Sequence, residues 1–296
     1  MARIFITGSA DGLGLLAAKQ LQDKGDKRTR VFSHHQDRSK VPSMKPGIVL
    51  ILLFCLCTSI VVAQKNDSTF LFKTDLSVTN NGFSIIPAFT LGKPAALLDM
   101  KMGNKRLSFE PQFRFALEGR PWSFVFIYRY KAITRSKFQL TFGGHIPGLN
   151  FVTRRIAVSG VDEDMSVVRR FLAGEIIPKY IISKNVSISI YYLRGHGFQK
   201  DGPQTSNFLS LQGSFTRIKV AGKVYVDFKP QLFYLTVDAD DGFYANATTT
   251  IGIMNFPITI SNIVNKAIKS DIAAKDFDWN LSLVYTIDKN FVVKSK

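Results

Sequence analysis

Cysteine is nearly missing from this chain: its 296 residues hold two, Cys55 and Cys57, both inside one apolar run. The residues before Cys57, Phe54-Cys55-Leu56, are not the small ones a lipoprotein cleavage site requires. Outside that run there is no thiol, which excludes a disulfide framework and a thiolate metal site there. Blocks of one charge are missing too. The formal net charge of +17 divides into +4 over residues 1–43, +1 at Lys45 and +12 over 64–296. In the long part Lys and Arg alternate with Phe, Leu and Val instead of clustering, so no basic stripe for nucleic acid is present. Helical periodicity is the third absence. Beyond residue 69 almost no stretch repeats its apolar residues every 3.6 positions, which argues against a helical bundle.

The most apolar stretch is Pro46–Gln64, nineteen residues without a charged side chain, preceded by Met44-Lys45. A positive start, a short apolar centre and an ending in Val61-Val62-Ala63 make the pattern of a secretory signal peptide. An uncleaved anchor helix is a second reading, since about 18–20 apolar residues just span a bilayer. A buried core helix is a third. The Val61/Ala63 ending and the polar Lys65-Asn66-Asp67-Ser68 favour cleavage before Gln64, with Met44 as the natural start. The chain thus divides into 1–43, a signal or anchor segment 44–63, and 64–296.

The first forty residues carry a different pattern. Ala2-Arg3-Ile4-Phe5-Ile6 is a short β-type run, Thr7-Gly8-Ser9-Ala10-Asp11-Gly12-Leu13-Gly14 follows directly, and Leu15–Lys24 has helical character. A glycine turn between strand and helix lets the backbone approach a pyrophosphate, with free N–H groups and the positive dipole end facing the anion. The TGxxxGxG spacing closely resembles the N-terminal Rossmann segment of the short-chain dehydrogenases/reductases. That resemblance implies NAD(P) as cofactor, with Gly8, Gly12 and Gly14 lining its pyrophosphate. Val31–Arg38 resembles the family's second strand, with Arg38 placed to meet a 2′-phosphate. There the resemblance stops. About 40 residues cannot bury a stable core, so the expectation is a vestigial fragment joined to an unrelated protein. The family's Tyr-x-x-x-Lys pair has three matches by spacing: Tyr180/Lys184 (with Ser166 upstream), Tyr225/Lys229 and Tyr285/Lys289. None sits on a helical pattern, and no catalytic residue is assigned.

From Phe70 onward the dominant signal is period two. Over 105–117 Leu107, Phe109, Pro111, Phe113, Phe115 and Leu117 alternate with Arg106, Ser108, Glu110, Gln112, Arg114 and Ala116. The pattern recurs over 70–78, 122–131, 137–144, 186–194, 222–234 and 277–287. Runs of about ten residues with dyad alternation, separated by turns, predict an all-β, antiparallel transmembrane barrel. A soluble sandwich or lipocalin-like barrel, with the greasy face inward, is the alternative. Strand length, the abundance of aromatic residues (25 Phe, nine Tyr and two Trp) and the export signal favour the membrane form. About twelve strands are expected, at 69–78, 83–91, 96–102, 105–117, 121–131, 136–144, 168–182, 185–197, 206–219, 222–236, 243–261 and 277–287. Asn80-Asn81-Gly82 is read as a hairpin turn, 145–167 and 198–205 as long loops, and 262–274 as a short helix or loop. In this, 64–296 resembles the outer-membrane barrel proteins of Gram-negative bacteria, which implies an outer-membrane location, the bilayer and the export and barrel-assembly machinery as partners, and no nucleic acid. Translation from Met1 would mask the signal and leave the chain in the cytoplasm.

The polar face supplies the candidate site: Lys73, Asp75, Arg106, Glu110, Arg114, Arg129 and Lys131, with Asp227 and Lys229, are expected to face the lumen. Unpaired charges in a narrow lumen are costly, so a paired network is expected; a selective pore lining is the sharper alternative. His145 and His196 lie in glycine-rich settings without a serine or cysteine nucleophile pattern. Asp238, Asp240 and Asp241 form an acidic turn that is either solvated or able to offer oxygen ligands to Ca²⁺. No metal is assigned, and no cofactor unless the N-terminal fragment works. The function expected is an outer-membrane barrel with a pore, transport or structural role. An NAD(P)-dependent short-chain oxidoreductase and a periplasmic, membrane-anchored β-protein with a binding role are the alternatives.

Overall fold

The computed structural model describes residues 69–84, 86–158 and 161–292. Gly8, Gly12, Gly14, Arg38 and the apolar run 46–64 lie outside the described residues. The alternating segments close into one antiparallel barrel of twelve strands. They are β1 Thr69–Thr79, β2 Ala95–Gly103, β3 Leu107–Ala116, β4 Pro121–Thr134, β5 Phe138–Val158, β6 Val161–Ile181, β7 Val186–Gly197, β8 Thr205–Ala221, β9 Val224–Val237, β10 Asp240–Ile253, β11 Ile258–Ser270 and β12 Phe277–Val292. Each strand pairs with its neighbours in sequence, and β1 closes the wall against β12 from Thr69↔Val292 to Thr79↔Ser282.

Strand number agrees with the sequence expectation through two differences that offset each other. Residues 83–91 are not a strand: Pro87 opens a single 3-10 turn, Pro87–Phe89, inside a long connection. Residues 243–261 hold parts of two strands, broken by Met254-Asn255-Phe256-Pro257, where Asn255 takes a left-handed φ of 65°. The segment 262–274 is accordingly no helix, most of it being the second half of β11. Asn80-Asn81-Gly82 ends β1 but does not lead into a partner strand. The expected loop at 145–167 is the upper part of β5 and β6, two strands of 21 residues each. Pro147 falls where the register shifts between His145 and Gly148. A bulge frees one ladder position, so a proline that cannot donate is tolerated there and the strand continues.

The two rims differ. At the rim where β1 begins and β12 ends, the connections 104–106, 135–137, 182–185, 222–223 and 254–257 are two to four residues long. The opposite rim carries the long connections 80–94, 198–204 and 271–276 beside the shorter 117–120 and 238–239, and from it β5 and β6 extend furthest.

One face of each strand meets the surroundings with large apolar groups, among them Leu76, Val78, Ile188, Ile190, Leu209, Leu211, Leu281 and Leu283. The other face must be the concave one, because its side chains reach each other across intervening strands. Arg129 of β4, for example, bonds Glu175 of β6 with β5 lying between them.

Candidate functional site: the barrel lumen

At the level of Glu175 the lumen is crossed by a charged girdle. The Glu175 side chain is 0% exposed. Its Oε1 accepts from Arg129 Nε at 2.5 Å, and its Oε2 accepts from the Tyr191 hydroxyl at 2.6 Å, with His145 Nε2 3.2 Å away. Arg129 also pairs with Glu110, which is bonded in turn by Lys101 and, at 2.8 Å, by Ser108 Oγ. Every carboxylate oxygen in the girdle therefore has a donor, and this is what lets two carboxylates sit in a low-dielectric interior. Gly143 of β5, opposite Glu175 in register, makes the reach possible: a Cβ there would overlap the Glu175 carboxylate.

Towards the rim of long connections the lumen turns apolar. Phe208, Phe233, Leu235 and Tyr244 are buried there, with Phe233 stacked on Tyr244 at 4.8 Å and the Tyr244 hydroxyl 2.6 Å from Ser270 Oγ. The connection 80–94 folds down onto this chamber. Trp122, 2% exposed, donates its indole N–H to the Phe89 carbonyl at 2.7 Å. Phe89 stacks on Phe171 at 5.3 Å, and Ile86 packs against the buried cluster. Asn81 anchors the connection's start by donating to Asp278 Oδ1 at 2.8 Å. A cavity of about 650 Å³ runs from the connection 80–94 past the girdle to Lys131, Thr141 and Ile177.

The residues singled out from the sequence fall as follows. Lys73 and Asp75 face the lumen on β1 as an ion pair of 3.0 Å, and Asp75 also accepts from Thr286 Oγ1 at 2.6 Å. Glu110 and Arg129 belong to the girdle. Arg114 donates to Gln112 Oε1 at 2.9 Å and lies 5.6 Å from the centre of the Trp122 ring. Lys131 borders the cavity and has no ion-pair partner among the described residues. Arg106 does not sit in the wall: it lies in the exposed turn before β3, where Asn104 Oδ1 caps its N–H at 2.8 Å. Trp122, grouped by alternation with the outward Phe124 and Phe126, turns inward at the register shift beside Arg114/Phe115.

The three Tyr/Lys spacings lie on strands or turns, where four residues span about 13 Å instead of one helical turn. Tyr180 ends β6 facing outward while Lys184 is in a turn. Asp238 accepts the backbone N–H groups of Gln204 and Thr205 at 2.9 and 2.8 Å. Asp227 likewise holds the Arg217 N–H at 2.6 Å. His196 packs edge-on against Phe198. Glu175, Tyr191 and Lys101 were not singled out from the sequence. On β6 the inward set (Phe171, Ala173, Glu175, Ile177) is as apolar as the outward set, so alternation there carries no signal for Glu175.

The described residues thus define a closed β-barrel with a charged, plugged lumen. No family model matches the chain and no curated protein matches it. Among solved structures it is similar to the KdgM porin in complex with disordered oligogalacturonate (8% identity, TM-score 0.47, 72% of this chain and 98% of that one). It is also similar to an outer membrane channel from Pseudomonas putida F1 (11%, TM-score 0.43, 77% and 97%). A third is OmpT, an outer membrane protein of Vibrio cholerae (10%, TM-score 0.38, 75% and 100%).

Proposed function

We propose that residues 64–296 form an outer-membrane β-barrel of a Gram-negative bacterium with a pore or transport role, its lumen closed in the state described by the connection 80–94. The supporting observation is the sidedness of the wall. Charges and hydrogen-bonding groups point inward, while the outer surface carries an apolar band edged by aromatic residues, Phe70, Tyr130, Tyr180 and Phe291 towards one rim and Phe198, Tyr234, Phe243 and Trp279 towards the other. Such a band with two aromatic girdles is what a bilayer demands of a spanning barrel. Backbone satisfaction demands the closure, because an open edge has no partner in hydrocarbon. On this reading the rim of two- to four-residue turns faces the periplasm and the rim of long connections faces outside. Residues 44–63 serve as the export signal, and 1–43 add no oxidoreductase activity.

Labelling decides between membrane and soluble barrels. With single cysteines at 113 and 114 carrying a fluorophore, a lipid-soluble quencher is expected to act at 113 and not at 114. Quenching at 114 instead, or at neither, removes the membrane reading. Fractionation places the protein: recovery with the inner membrane in place of the outer would favour the anchored periplasmic β-protein.

A further inference from the structure

We infer that the lumenal cavity is a binding site for an amphiphilic monoanion, a single carboxylate or comparable group on an acyl or aryl body. The inference rests on the barrel reading and specifies what its lumen accepts.

Charge is the first observation. Lys101, Arg114, Arg129 and Lys131 all border the cavity, whereas no Asp or Glu borders it among the described residues. The carboxylates of the girdle, Glu110 and Glu175, are consumed by Arg129, Lys101 and Tyr191. Arg114 reaches only the neutral Gln112, with its Nε buried and unpartnered, and has no ion-pair partner among the described residues. Lys131 has none either. Against these four cations stand three carboxylates, Glu110, Glu175 and the buried Asp99 beside Arg114, so this wall keeps one positive charge in excess and favours an anion over a neutral or cationic guest.

Shape and polarity are the second observation. On the plug side the lining is aromatic and aliphatic: Phe83, Phe89, Trp122, Phe171, Leu193 and Phe208. A small hydrated anion gains nothing from that surface, while an acyl or aryl body buries area against it at about 25 cal/mol per Å². The volume of about 650 Å³ lies within the roughly 300–1,000 Å³ typical of sites that enclose a drug-sized ligand. Arg114 lies 5.6 Å from the centre of the Trp122 ring, whereas Lys131 stands nine positions from Trp122 on β4, about 30 Å along the strand. The anionic group is thus expected at Arg114, and the apolar body against Phe89 and Phe171.

The chain's two tryptophans provide the test, since Trp122 lies at the cavity and Trp279 on the outer wall. In a Trp279→Phe background, refolded into nonionic nanodiscs, only Trp122 reports. Decanoate and 4-phenylbutyrate are expected to change its emission saturably. Acetate, 4-phenyl-1-butanol and 4-phenylbutylamine are expected to leave it unchanged over the same range. Arg114→Gln, confirmed as folded by heat-shifted migration on gels, is expected to weaken the response at least tenfold, and Lys131→Gln to weaken it far less. Equal responses to the alcohol or the amine, a response indifferent to Arg114→Gln, or none to either anion would overturn the inference. Insertion into the nanodisc is scored separately, so a barrel that inserts but does not bind sinks this site alone, and one that fails to insert sinks the barrel reading.

Discussion

Gly143 contributes no side chain, and the girdle depends on that omission. The position is directly opposite Glu175, so any Cβ pushes the carboxylate off Arg129 and Tyr191. Gly143→Val is expected to leave a buried ion pair broken, a change that costs about 3–5 kcal/mol, read as a lower midpoint in urea unfolding of the liposome-inserted barrel. Glu175→Gln keeps the volume and is expected to cost less. On β3, neighbouring residues meet opposite surroundings. Phe113 packs in the outer aromatic patch against Phe124 and Phe126, and Phe113→Arg is expected to cost about 2–4 kcal/mol, the range for a basic residue near the bilayer midplane. Arg114→Ala, which removes a side chain hydrogen-bonded to Gln112, is expected to lose far less in the same titration. These two faces were legible from alternation. The partners within the lumen were not, because an ion pair across an intervening strand has no spacing in the sequence.

At the scale of elements, the connection 80–94 behaves as part of the interior. Its residues Phe83-Ser84-Ile85-Ile86-Pro87-Ala88-Phe89 have the composition of a strand, which is why the sequence suggests one. They are apolar because Ile86 and Phe89 cover the chamber and meet Trp122 and Phe171, a purpose that propensity cannot distinguish from sheet packing. Replacing 83–91 with a short Gly/Ser turn is expected to raise single-channel conductance in planar bilayers several-fold. Trp122→Phe, which removes the bond to the Phe89 carbonyl together with part of the ring's packing, is expected to give brief openings to the same level. Unchanged conductance on replacement would place the constriction at the girdle instead. Pro147 and the glycines around it make β5 look shorter in the sequence than it is. Gly148 is needed there because a Cβ would run into the Phe171 ring that carries Phe89, and the bulge lets the strand pass through.

For the whole molecule, the two messages in the sequence lead to separate expectations. Deleting residues 1–43 is expected to preserve or improve recovery in the outer membrane, since Met44-Lys45 then forms the positive start of the signal. Loss of the protein from that fraction on truncation would assign the first segment a role in export. The full chain is expected to show no heat of binding with NADPH in calorimetry. Micromolar binding abolished by Gly14→Asp would make the glycine turn functional and the oxidoreductase reading the better one.

The pairing order has a consequence for how the wall is assembled. Eleven of the twelve pairings join strands adjacent in sequence and can form hairpin by hairpin, while β1–β12 links positions as distant as the Asp75 and Thr286 partners, 211 residues apart. Local pairings form early and the distant one last, so closing the cylinder is the final step and β1 and β12 are the exposed edges until then. Thr69 and Val292 are register partners, which places the barrel's two ends side by side. A circular permutant that joins 292 to 69 by a short linker and opens at 222–223 should therefore build the same wall, with β8–β9 as the last pair to form. The seam is set by where the polypeptide is cut, and the cylinder has no intrinsic first strand.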